Sequence, residues 1–461
     1  MTSDLAGHDW ETPRAREPVR AVVRLPGSKS MTNRALVLAA LSDRPVEITG
    51  PLVARDTALM AEALRALGCR INETPRSWRV EPASALTWQQ APSGRPGITI
   101  DVGNAGTVLR FIPPVAALTN ADVTFRGDPR ASERPIGPLL TALRSMGVTI
   151  SDTGTGALPF VVRGRGTVPG GTATMDASAS SQLVSGLLLA AARFGAGAEI
   201  RHVGPPVPSQ PHIDMTVRML RAAGVEVRVG EPGGTGEAAR TSQAAGGVIS
   251  RTWRVMPGAI RAAKIDVEPD LSNAVPFLAA AIATGGEVTV AGWPADSLQP
   301  AARIVELLRS MGADVRLTGD RLRVSGSGTI RGVGADLSEV GELTPVLTAL
   351  AALASTPSEF TGIGHLRRHE SDRLAALAGE IAKLGGDVTE LADGLRIRPA
   401  PLHGGAALDS HDDHRLVMAA AVLGLVTDGV LVRNAATVGK TFPEFSRYWT
   451  EIATPTARSA P

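Results

Sequence analysis

The chain has 461 residues, which is too long for one ordinary hydrophobic core and predicts two domains or more. Its hydrophobic content of 43% and charged content of 20% are typical of a globular protein. Aromatic residues make up only 3%, the net charge is +2, and no Lys/Arg cluster is interleaved with aromatics, which argues against nucleic-acid binding. The single cysteine, Cys69, excludes a disulfide framework within the chain, and no uninterrupted apolar stretch reaches the length of a membrane span.

The two ends of the chain are polar. Residues 1–20 contain several acids and no apolar core of a secretion signal, so we expect a disordered tail on a soluble, cytoplasmic protein. Residues 454–461 are expected to be disordered as well.

The first chemically informative segment is residues 25–34, with the sequence LPGSKSMTNR. A Pro-Gly turn precedes an apolar run, which predicts a helix whose first turn holds Lys29, Ser30 and Arg34. The start of a helix leaves backbone N–H groups unpaired and carries partial positive charge, so it attracts anions. The segment lacks the glycines of a phosphate-binding Walker loop. It therefore predicts a different kind of phosphate or carboxylate site; a capped surface helix is the alternative.

Six segments of the chain share one pattern: a short strand, a polar turn, an apolar helix, and a second helix that ends near glycine before another strand. The turns that open the six apolar helices are 27–30, 103–107, 179–182, 268–272, 336–338 and 410–414. The spacing exceeds that of solenoid repeats, so each segment is predicted to be a small α/β subdomain.

The apolar helices predict the fold class. Segments such as 187–192 and 417–423 are hydrophobic on all faces, as buried helices are. We therefore predict two inside-out α/β domains, each with three βαβαββ-type repeats, joined by two crossovers. The first domain is predicted at 21–256, with a flexible Gly-rich insertion at 229–254. The second is predicted at 257–453, completed by a few residues near 15–21.

Polar residues recur at the start of each apolar helix. Gly106 allows close approach of a ligand, Arg134 offers a bidentate donor, and Ser180, Ser181 and Gln182 open the third helix. Each of these taken alone is also explained by helix capping or by a solvated arginine.

The second half of the chain adds two charged clusters, 369–373 and 412–415. A metal site is the alternative for the second cluster, but Arg415 lies within it and no second histidine stands at ligand spacing. We expect one cleft to collect six cations, namely Lys29, Arg34, Arg134, Arg373, Arg415 and Lys440. Such a collection predicts a polyanionic small substrate or two anionic substrates, with the domains closing on them.

Seven ordered motifs, LPGSKSxxNRA, GNAGT, ERPIG, SSQ, HESDR, DDHR and KTFPEF, closely resemble the 5-enolpyruvylshikimate-3-phosphate synthase family of enolpyruvyl transferases. The resemblance covers residues from about 20 to 452. It implies the two-domain inside-out fold already predicted from the repeats. It also implies transfer of the enolpyruvyl group of phosphoenolpyruvate to shikimate-3-phosphate, with release of phosphate.

The resemblance also implies roles for individual residues. Shikimate-3-phosphate is expected to contact Lys29, Ser30, Arg34, Ser180, Ser181, Gln182, Ser209, Glu342 and His369. Phosphoenolpyruvate is expected to contact Lys29, Gly106, Arg134, Gln182, Arg373, Arg415 and Lys440. Three positions depart from the family's pattern: Glu342 replaces the catalytic Asp, His369 a common Lys, and His212 the usual Tyr.

The expected chemistry is an addition followed by an elimination. Glu342 is the expected acceptor of the hydroxyl proton, while Lys29, Glu370 and His414 are alternatives for proton transfer at carbon 3. No cofactor and no metal is expected, and the protein is expected to be a monomer. Two other functions remain open. One is the related transferase that acts on UDP-N-acetylglucosamine, whose reactive loop cysteine is missing here; the other is a non-catalytic anion-binding repeat protein, which would not explain Glu342 and Glu370.

Overall fold

The computed structural model describes residues 9–83, 97–230 and 249–454. The chain divides into two compact units, Gly27–Glu268 and Met1–Pro26 with Pro269–Pro461. It therefore passes from one unit to the other twice, after Pro26 and after Glu268. None of the helices in these described ranges has the length and apolar character needed to cross a membrane.

Each unit is built from repeats of the predicted βαβαββ order. The second repeat shows it completely: Gly97–Asp101, Gly106–Ala116, Asp122–Arg126, Gly137–Ser145, Thr149–Asp152 and Phe160–Arg163. One short helix, Pro129–Ser132, is inserted between its second strand and its second helix. The first two strands pair in parallel across the first helix, and the last two add antiparallel strands.

The first helix of each repeat is buried, and we call these six the core helices. In the 27–268 unit they are Lys29–Ala40, Gly106–Ala116 and Ser181–Ala191, and in the other unit Leu271–Thr284, Thr344–Ala352 and His414–Gly424. The three core helices of each unit pack against one another. Almost all of their residues are buried, whereas the strands alternate buried and exposed residues. The apolar, non-amphipathic helix sequences are thus explained by central helices with sheets around them.

Six sheets surround the two sets of core helices. When the strands are numbered by their position in the βαβαββ repeat, every four-stranded sheet has the same spatial order of first, second, fourth and third strand. In the 27–268 unit the sheets are Lys264–Asp266/Val46–Thr49/Ser77–Glu81/Arg70–Glu73, Gly97–Asp101/Asp122–Arg126/Phe160–Arg163/Thr149–Asp152, and Gly171–Met175/Ala198–Val203/Ile249–Val255/Val227–Gly230. In the other unit they are Arg20–Arg24/Glu287–Ala291/Arg321–Ser325/Asp314–Thr318, Gly334–Asp336/Ser358–Thr361/Gly394–Arg398/Asp387–Leu391, and the three-stranded Ala407–Asp409/Leu431–Arg433/Trp10–Glu11.

One strand position is filled by a distant part of the chain. Arg20–Arg24 directly precedes the first core helix, yet it pairs in parallel with Glu287–Ala291 of the other unit's sheet. Its place beside Val46–Thr49 is taken by Lys264–Asp266, which also pairs in parallel. This exchange is how the chain completes both units with two crossovers.

The second helix of each repeat is amphipathic, and we call these the outer helices: Arg55–Ala66, Gly137–Ser145, Gln210–Ala222, Ala301–Ser310, Arg373–Ala382 and Phe445–Ala453. Five of them end at a left-handed glycine, Gly68, Gly147, Gly224, Gly312 or Gly385. A left-handed residue at this position lets the last carbonyls find partners, and only glycine adopts it without a steric penalty. The recurring glycine of the sequence is therefore a helix stop.

An arginine just before that glycine fixes the outer helix to the following strand in four repeats. Its guanidinium donates to the carbonyl six residues further on, in the pairs Arg65–Ile71, Arg144–Ile150, Arg221–Val227 and Arg309–Val315. Such a bond satisfies a carbonyl at the entry to the strand.

Two segments that were predicted to be a tail and an insertion contain strands. Within 1–20, Trp10–Glu11 is a strand that pairs with Leu431–Arg433, because Thr12 and the Trp10 ring gain packing there. Within 229–254, Ile249–Val255 is a strand between two others. Residues 1–8, 231–248 and 455–461 lie outside the described residues.

Candidate functional site

Lys29 is the first residue of the core helix Lys29–Ala40, and Ser28 caps that helix by accepting from the Met31 N–H. The ammonium nitrogen lies 3.1 Å from Oδ2 of Asp56, whose side chain is only 3% exposed. Asp56 Oδ1 makes no hydrogen bond within the described residues. The sequence motif around Lys29 does not itself contain this carboxylate. Asp56 opens the outer helix Arg55–Ala66, and this first-turn acid was the signal that could have revealed it.

Arg34 is buried one turn further along the same helix, and neutral groups hold its guanidinium. Nε donates to Thr216 Oγ1 (2.7 Å) and Nη2 to the His212 carbonyl (3.0 Å), while Nη1 donates to the carbonyl of Ser30 (2.9 Å). The ring of Phe111 lies 5.2 Å from its carbon Cζ. Burial lowers the pKa of Arg34 to about 9. Within the described residues no carboxylate pairs with Arg34, so its positive charge is uncompensated there.

Two further guanidinium groups meet at the start of the core helix Gly106–Ala116. A Cβ atom on Gly106 would lie 2.5 Å from Arg134 Nη2 and 2.7 Å from Arg110 Nη1, so a larger residue would displace these guanidinium groups. Arg134 donates to the Asn104 carbonyl (2.8 Å), and its buried Nε has no hydrogen-bond partner within the described residues. Arg110 donates to Gln182 Oε1 (3.1 Å). Arg110 is a further neighbour of the site that was not predicted as a ligand. Its position four residues after Gly106, on the same face of the helix, was the available signal.

The hydroxyl-bearing candidates of this unit lie at two other helix starts. Ser180 caps the core helix Ser181–Ala191 by accepting from the Gln182 N–H (3.3 Å). Ser209 precedes the outer helix Gln210–Ala222 with a left-handed backbone (φ 51°). A left-handed serine is uncommon, and such residues concentrate at functional sites.

In the other unit, Arg373 joins two parts of the predicted site. Its guanidinium forms a two-point contact with Asp413, at 2.7 Å and 3.2 Å, and donates to Glu370 Oε2 at 3.0 Å. Burial alone would lower the pKa of Arg373, but the charges of Asp413 and Glu370 reverse the effect and raise it. The carboxylates of Asp413 and Glu370 therefore neutralise the Arg373 charge. Asp413 was quoted within a motif but was not proposed as a site residue.

Lys440 lies in a short helix that precedes the last helix of the chain. It ends the 3₁₀ helix Ala435–Lys440, and the last helix begins only at Phe445. The aromatic rings of Phe442 and Phe445 both pack against Phe277, and this packing fixes the intervening turn. Lys440 Nζ lies 3.7 Å from Glu370 Oε1.

Arg415 lies in the first turn of the core helix His414–Gly424, beside His414. Both its terminal nitrogens donate to Ser272, Nη1 to the carbonyl (3.2 Å) and Nη2 to Oγ (2.6 Å). The Ser272 hydroxyl in turn donates to Asp270, the cap of the core helix Leu271–Thr284. Burial lowers the pKa of Arg415, and the charge of Asp270 opposes this effect without reversing it. His414 is buried, with Nδ1 3.7 Å from Asp413 Oδ1.

Glu342 lies in the 3₁₀ turn Gly341–Leu343, directly before the core helix Thr344–Ala352. Its carboxylate makes no hydrogen bond within the described residues and does not cap that helix. Its charge acts on both Arg373 and Arg415. His369 Nδ1 lies 3.4 Å from Arg373 Nη1.

His365 lies beside His369 and was not indicated by the sequence. A Cβ atom on Gly341 would lie 3.0 Å from its Nε2. Its ring packs against the edge of the His369 ring, at 5.5 Å between centroids. Burial, together with the charge of Arg373, lowers the pKa of His365 to about 4. His365 is therefore neutral at pH 7.

The predicted site residues thus fall into two sets, one in each unit. The 27–268 unit holds Lys29, Ser30, Arg34, Gly106, Arg134, Ser180, Ser181, Gln182 and Ser209. The other unit holds Glu342, His369, Glu370, Arg373, His414, Arg415 and Lys440. A search of the described ranges finds no group of three His, Cys, Asp or Glu side chains suited to a metal ion.

Comparison with known proteins gives consistent results. Residues 13–449 match the family described as EPSP synthase (3-phosphoshikimate 1-carboxyvinyltransferase). The chain is 48% identical over 451 residues to a 3-phosphoshikimate 1-carboxyvinyltransferase of Kocuria rhizophila, covering 96% of each chain. It is 49% identical to the protein of the same name from Mycobacterium ulcerans, over 96% of this chain and 97% of that one.

Solved structures are similar in fold. An EPSP synthase from Acinetobacter baumannii superposes with a TM-score of 0.73 at 25% identity, over 96% of this chain and 97% of that chain. The enolpyruvyl transferase NikO from Streptomyces tendae gives a TM-score of 0.72 at 18% identity, over 97% and 98%, which shows the shared fold.

Proposed function

The chain belongs to the EPSP synthase (3-phosphoshikimate 1-carboxyvinyltransferase) family, and from this premise we propose that it transfers the enolpyruvyl group of phosphoenolpyruvate to the 5-hydroxyl of shikimate-3-phosphate. The products are 5-enolpyruvylshikimate-3-phosphate and inorganic phosphate. We propose that it does so as a cytoplasmic monomer, without cofactor or metal.

The observation that carries the proposal is the set of buried cations at the starts of core helices. Arg34 and Arg134 are only 1% and 6% exposed, and within the described residues no carboxylate forms an ion pair with either guanidinium. A buried guanidinium without a counter-charge is unfavourable in an empty protein. It is stabilised when an anionic ligand binds, and both proposed substrates carry phosphate and carboxylate groups.

The proposed reaction has two steps. In the addition, the 5-hydroxyl oxygen of shikimate-3-phosphate bonds to carbon 2 of phosphoenolpyruvate, its proton passes to Glu342, and carbon 3 gains a proton. The tetrahedral product carries both the ether and the phosphate. In the elimination, the carbon–oxygen bond to phosphate breaks and carbon 3 loses a proton, which restores the double bond.

Proton transfer at carbon 3 is assigned to Lys29, Glu370 and His414 as a group. Lys29 is held by Asp56, and Glu370 is held by Arg373 and lies near Lys440, so both groups have fixed positions. A general acid or base is effective only within hydrogen-bond reach of the atom it serves. The arginines supply orientation and electrostatic stabilisation of the phosphate that leaves.

The test is a continuous phosphate-release assay with phosphoenolpyruvate and either shikimate-3-phosphate or UDP-N-acetylglucosamine as acceptor. The proposal expects phosphate release and a new enol ether, identified by mass spectrometry, with shikimate-3-phosphate only. Release with the UDP-sugar instead would assign the related transferase activity. Binding of both anions without release would point to a non-catalytic anion-binding protein.

A further inference from the structure

The turn before the core helix His414–Gly424 has an unusual backbone. Within the described residues only four non-glycine residues have a positive φ: Ser209, His411, Asp412 and Asn434. His411 (φ 48°) and Asp412 (φ 55°) are consecutive and lie directly before Asp413. A left-handed conformation is unfavourable for residues with a side chain, so the turn persists only if its surroundings hold it.

Side chains from two other elements hold this turn. Glu380, on the outer helix Arg373–Ala382, accepts at Oε2 from the Asp409 N–H (2.9 Å) and contacts His411 Nε2 through Oε1 (2.7 Å). Asn434, at the start of the 3₁₀ helix Ala435–Lys440, donates to Asp412 Oδ1 (2.6 Å). Each of the two left-handed residues is therefore tied by its own side chain.

The turn determines where Asp413 points. The Asp413 N–H donates back to the Ser410 carbonyl (2.8 Å), which closes the turn. The Asp413 carboxylate then accepts from the Arg415 N–H (2.9 Å) and from both nitrogens of the Arg373 contact. A change in the turn would consequently move the anchor of Arg373 and the first helical turn that carries His414 and Arg415.

We propose that Glu380 is a positioning residue, which holds the left-handed His411–Asp412 turn so that Asp413 keeps Arg373 and Arg415 in place for phosphoenolpyruvate. This inference rests on the proposed function. Glu380 does not touch these arginines itself and acts only through the turn.

The surroundings of Glu380 indicate that this residue holds the turn in place and does not merely fill space in the core. Its neighbours on the helix, Leu377 and Ile381, are buried and apolar, and Glu380 itself is only 8% exposed. A buried carboxylate is unfavourable unless its oxygens are hydrogen-bonded. Its donors are Lys383, the Asp409 N–H and His411, and the last two of these belong to the turn and the strand that leads into it.

The experiment compares Glu380→Ala with Glu380→Ala/His411→Gly. Glycine adopts the left-handed conformation without a penalty, so the double variant should keep the turn although the carboxylate is gone. In Glu380→Ala we expect the KM for phosphoenolpyruvate to rise about tenfold, with the KM for shikimate-3-phosphate nearly unchanged. We expect the double variant to recover most of this loss. Amide hydrogen exchange of residues 410–416 should be faster in Glu380→Ala and slow again in the double variant.

Lys383→Ala is the matched control, because Lys383 bonds to the same carboxylate but does not contact the turn, and its side chain is 45% exposed. It should change neither KM nor exchange. Unchanged KM and exchange in Glu380→Ala would overturn the proposal, as would a rise in both KM values that glycine does not correct. If the wild-type protein showed no turnover, the proposed function would fail, and hydrogen exchange with its rescue by glycine would still decide whether Glu380 holds the turn.

Discussion

Single residues of the candidate site differ in what balances their charge. Arg373 is surrounded by Asp413 and Glu370, so its charge is compensated before any ligand binds. Arg34 is held by hydroxyl and carbonyl oxygens, which orient a guanidinium without neutralising it. The second kind of arginine leaves more attraction for an anionic substrate. Arg373 is better suited to fixing the geometry of its neighbours.

Lys29→Ala should reduce kcat by about 10²–10³-fold, because an oriented charge at the reacting centre contributes about 2.7–4 kcal/mol to transition-state stabilisation. The variant should also melt at a lower temperature than wild type, because buried Asp56 loses its cation. Lys29→Ala/Asp56→Asn separates the two effects: calorimetry should show recovered stability, and the phosphate assay should show no recovered turnover. Near-normal kcat in a folded Lys29→Ala variant would remove Lys29 from the catalytic group.

Glu342→Gln should lower kcat by about 10²–10⁴-fold, because the amide keeps the shape of the side chain but cannot accept the hydroxyl proton. Shikimate-3-phosphate affinity, measured by calorimetric titration, and thermal stability should change little. The carboxylate caps none of the described helices, so a structural loss is not expected. A variant that turns over normally would place the base elsewhere.

The lowered pKa of His365 predicts that the folded protein loses stability in mild acid. Its pKa is lowered from 6.5 to about 4 in the folded protein. Between these two values the unfolded chain binds a proton at this position that the folded chain does not. The free energy of unfolding therefore falls as the pH falls through this window, by roughly 1–2 kcal/mol at pH 5. Urea denaturation at pH 7 and pH 5 measures the fall, which His365→Gln should reduce; an equal fall in both proteins would contradict the assignment.

At the level of elements, the start of a core helix is where the candidate groups converge. The Gly106–Ala116 helix illustrates the reason: its first residue has no side chain, and two guanidinium groups occupy the space beside it. The backbone N–H groups of such a start remain available to an anion. At this helix, a start without a side-chain cap is thus combined with cations from neighbouring elements.

Gly106→Ala tests this arrangement. The added Cβ would lie within 2.5 Å of Arg134 Nη2, and the mobile end of that side chain would give way before the backbone did. We expect a normal melting temperature and a KM for phosphoenolpyruvate raised about tenfold or more. The matched control is Gly137→Ala, also at a helix start, where the nearest atom to the new Cβ is 3.6 Å away. If both variants behaved alike, crowding by the guanidinium groups would not be the cause.

At the level of the whole molecule, the chain is an assembly of six similar repeats in two units. In each unit, a sheet is completed by a strand from outside the sequence of its repeat. The buried charges at the helix starts destabilise this assembly when no ligand is bound, since guanidinium groups without counter-charges are retained in it. Substrate binding should therefore stabilise the native state as well as prepare the reaction.

Shikimate-3-phosphate should raise the Tm of the protein in differential scanning calorimetry. A ligand that binds only the native state at one hundred times its Kd adds about 2.7 kcal/mol to the free energy of unfolding. UDP-N-acetylglucosamine at the same concentration should leave the Tm unchanged. The reverse order of stabilisation would contradict the proposed acceptor.

Local features of the sequence determined the repeats and the order of their elements. The apolar helices, the stop glycines and the polar helix starts act over a few residues, so they can be found without knowledge of distant contacts. The motifs around Lys29, Gly106 and Arg373 likewise lie within single turns. This is why the fold class and the family were predictable.

Only the tertiary structure decided which distant groups meet. Asp56 lies 27 residues from Lys29 and Asp413 lies 40 residues from Arg373, and both pairs depend on how helices pack. The strand Trp10–Glu11 pairs with a segment hundreds of residues away, because strand pairing is set by non-local hydrogen bonds that no local pattern encodes. The same holds for Lys440, whose turn is fixed by the packing of Phe442 and Phe445 on Phe277 rather than by its neighbours in sequence.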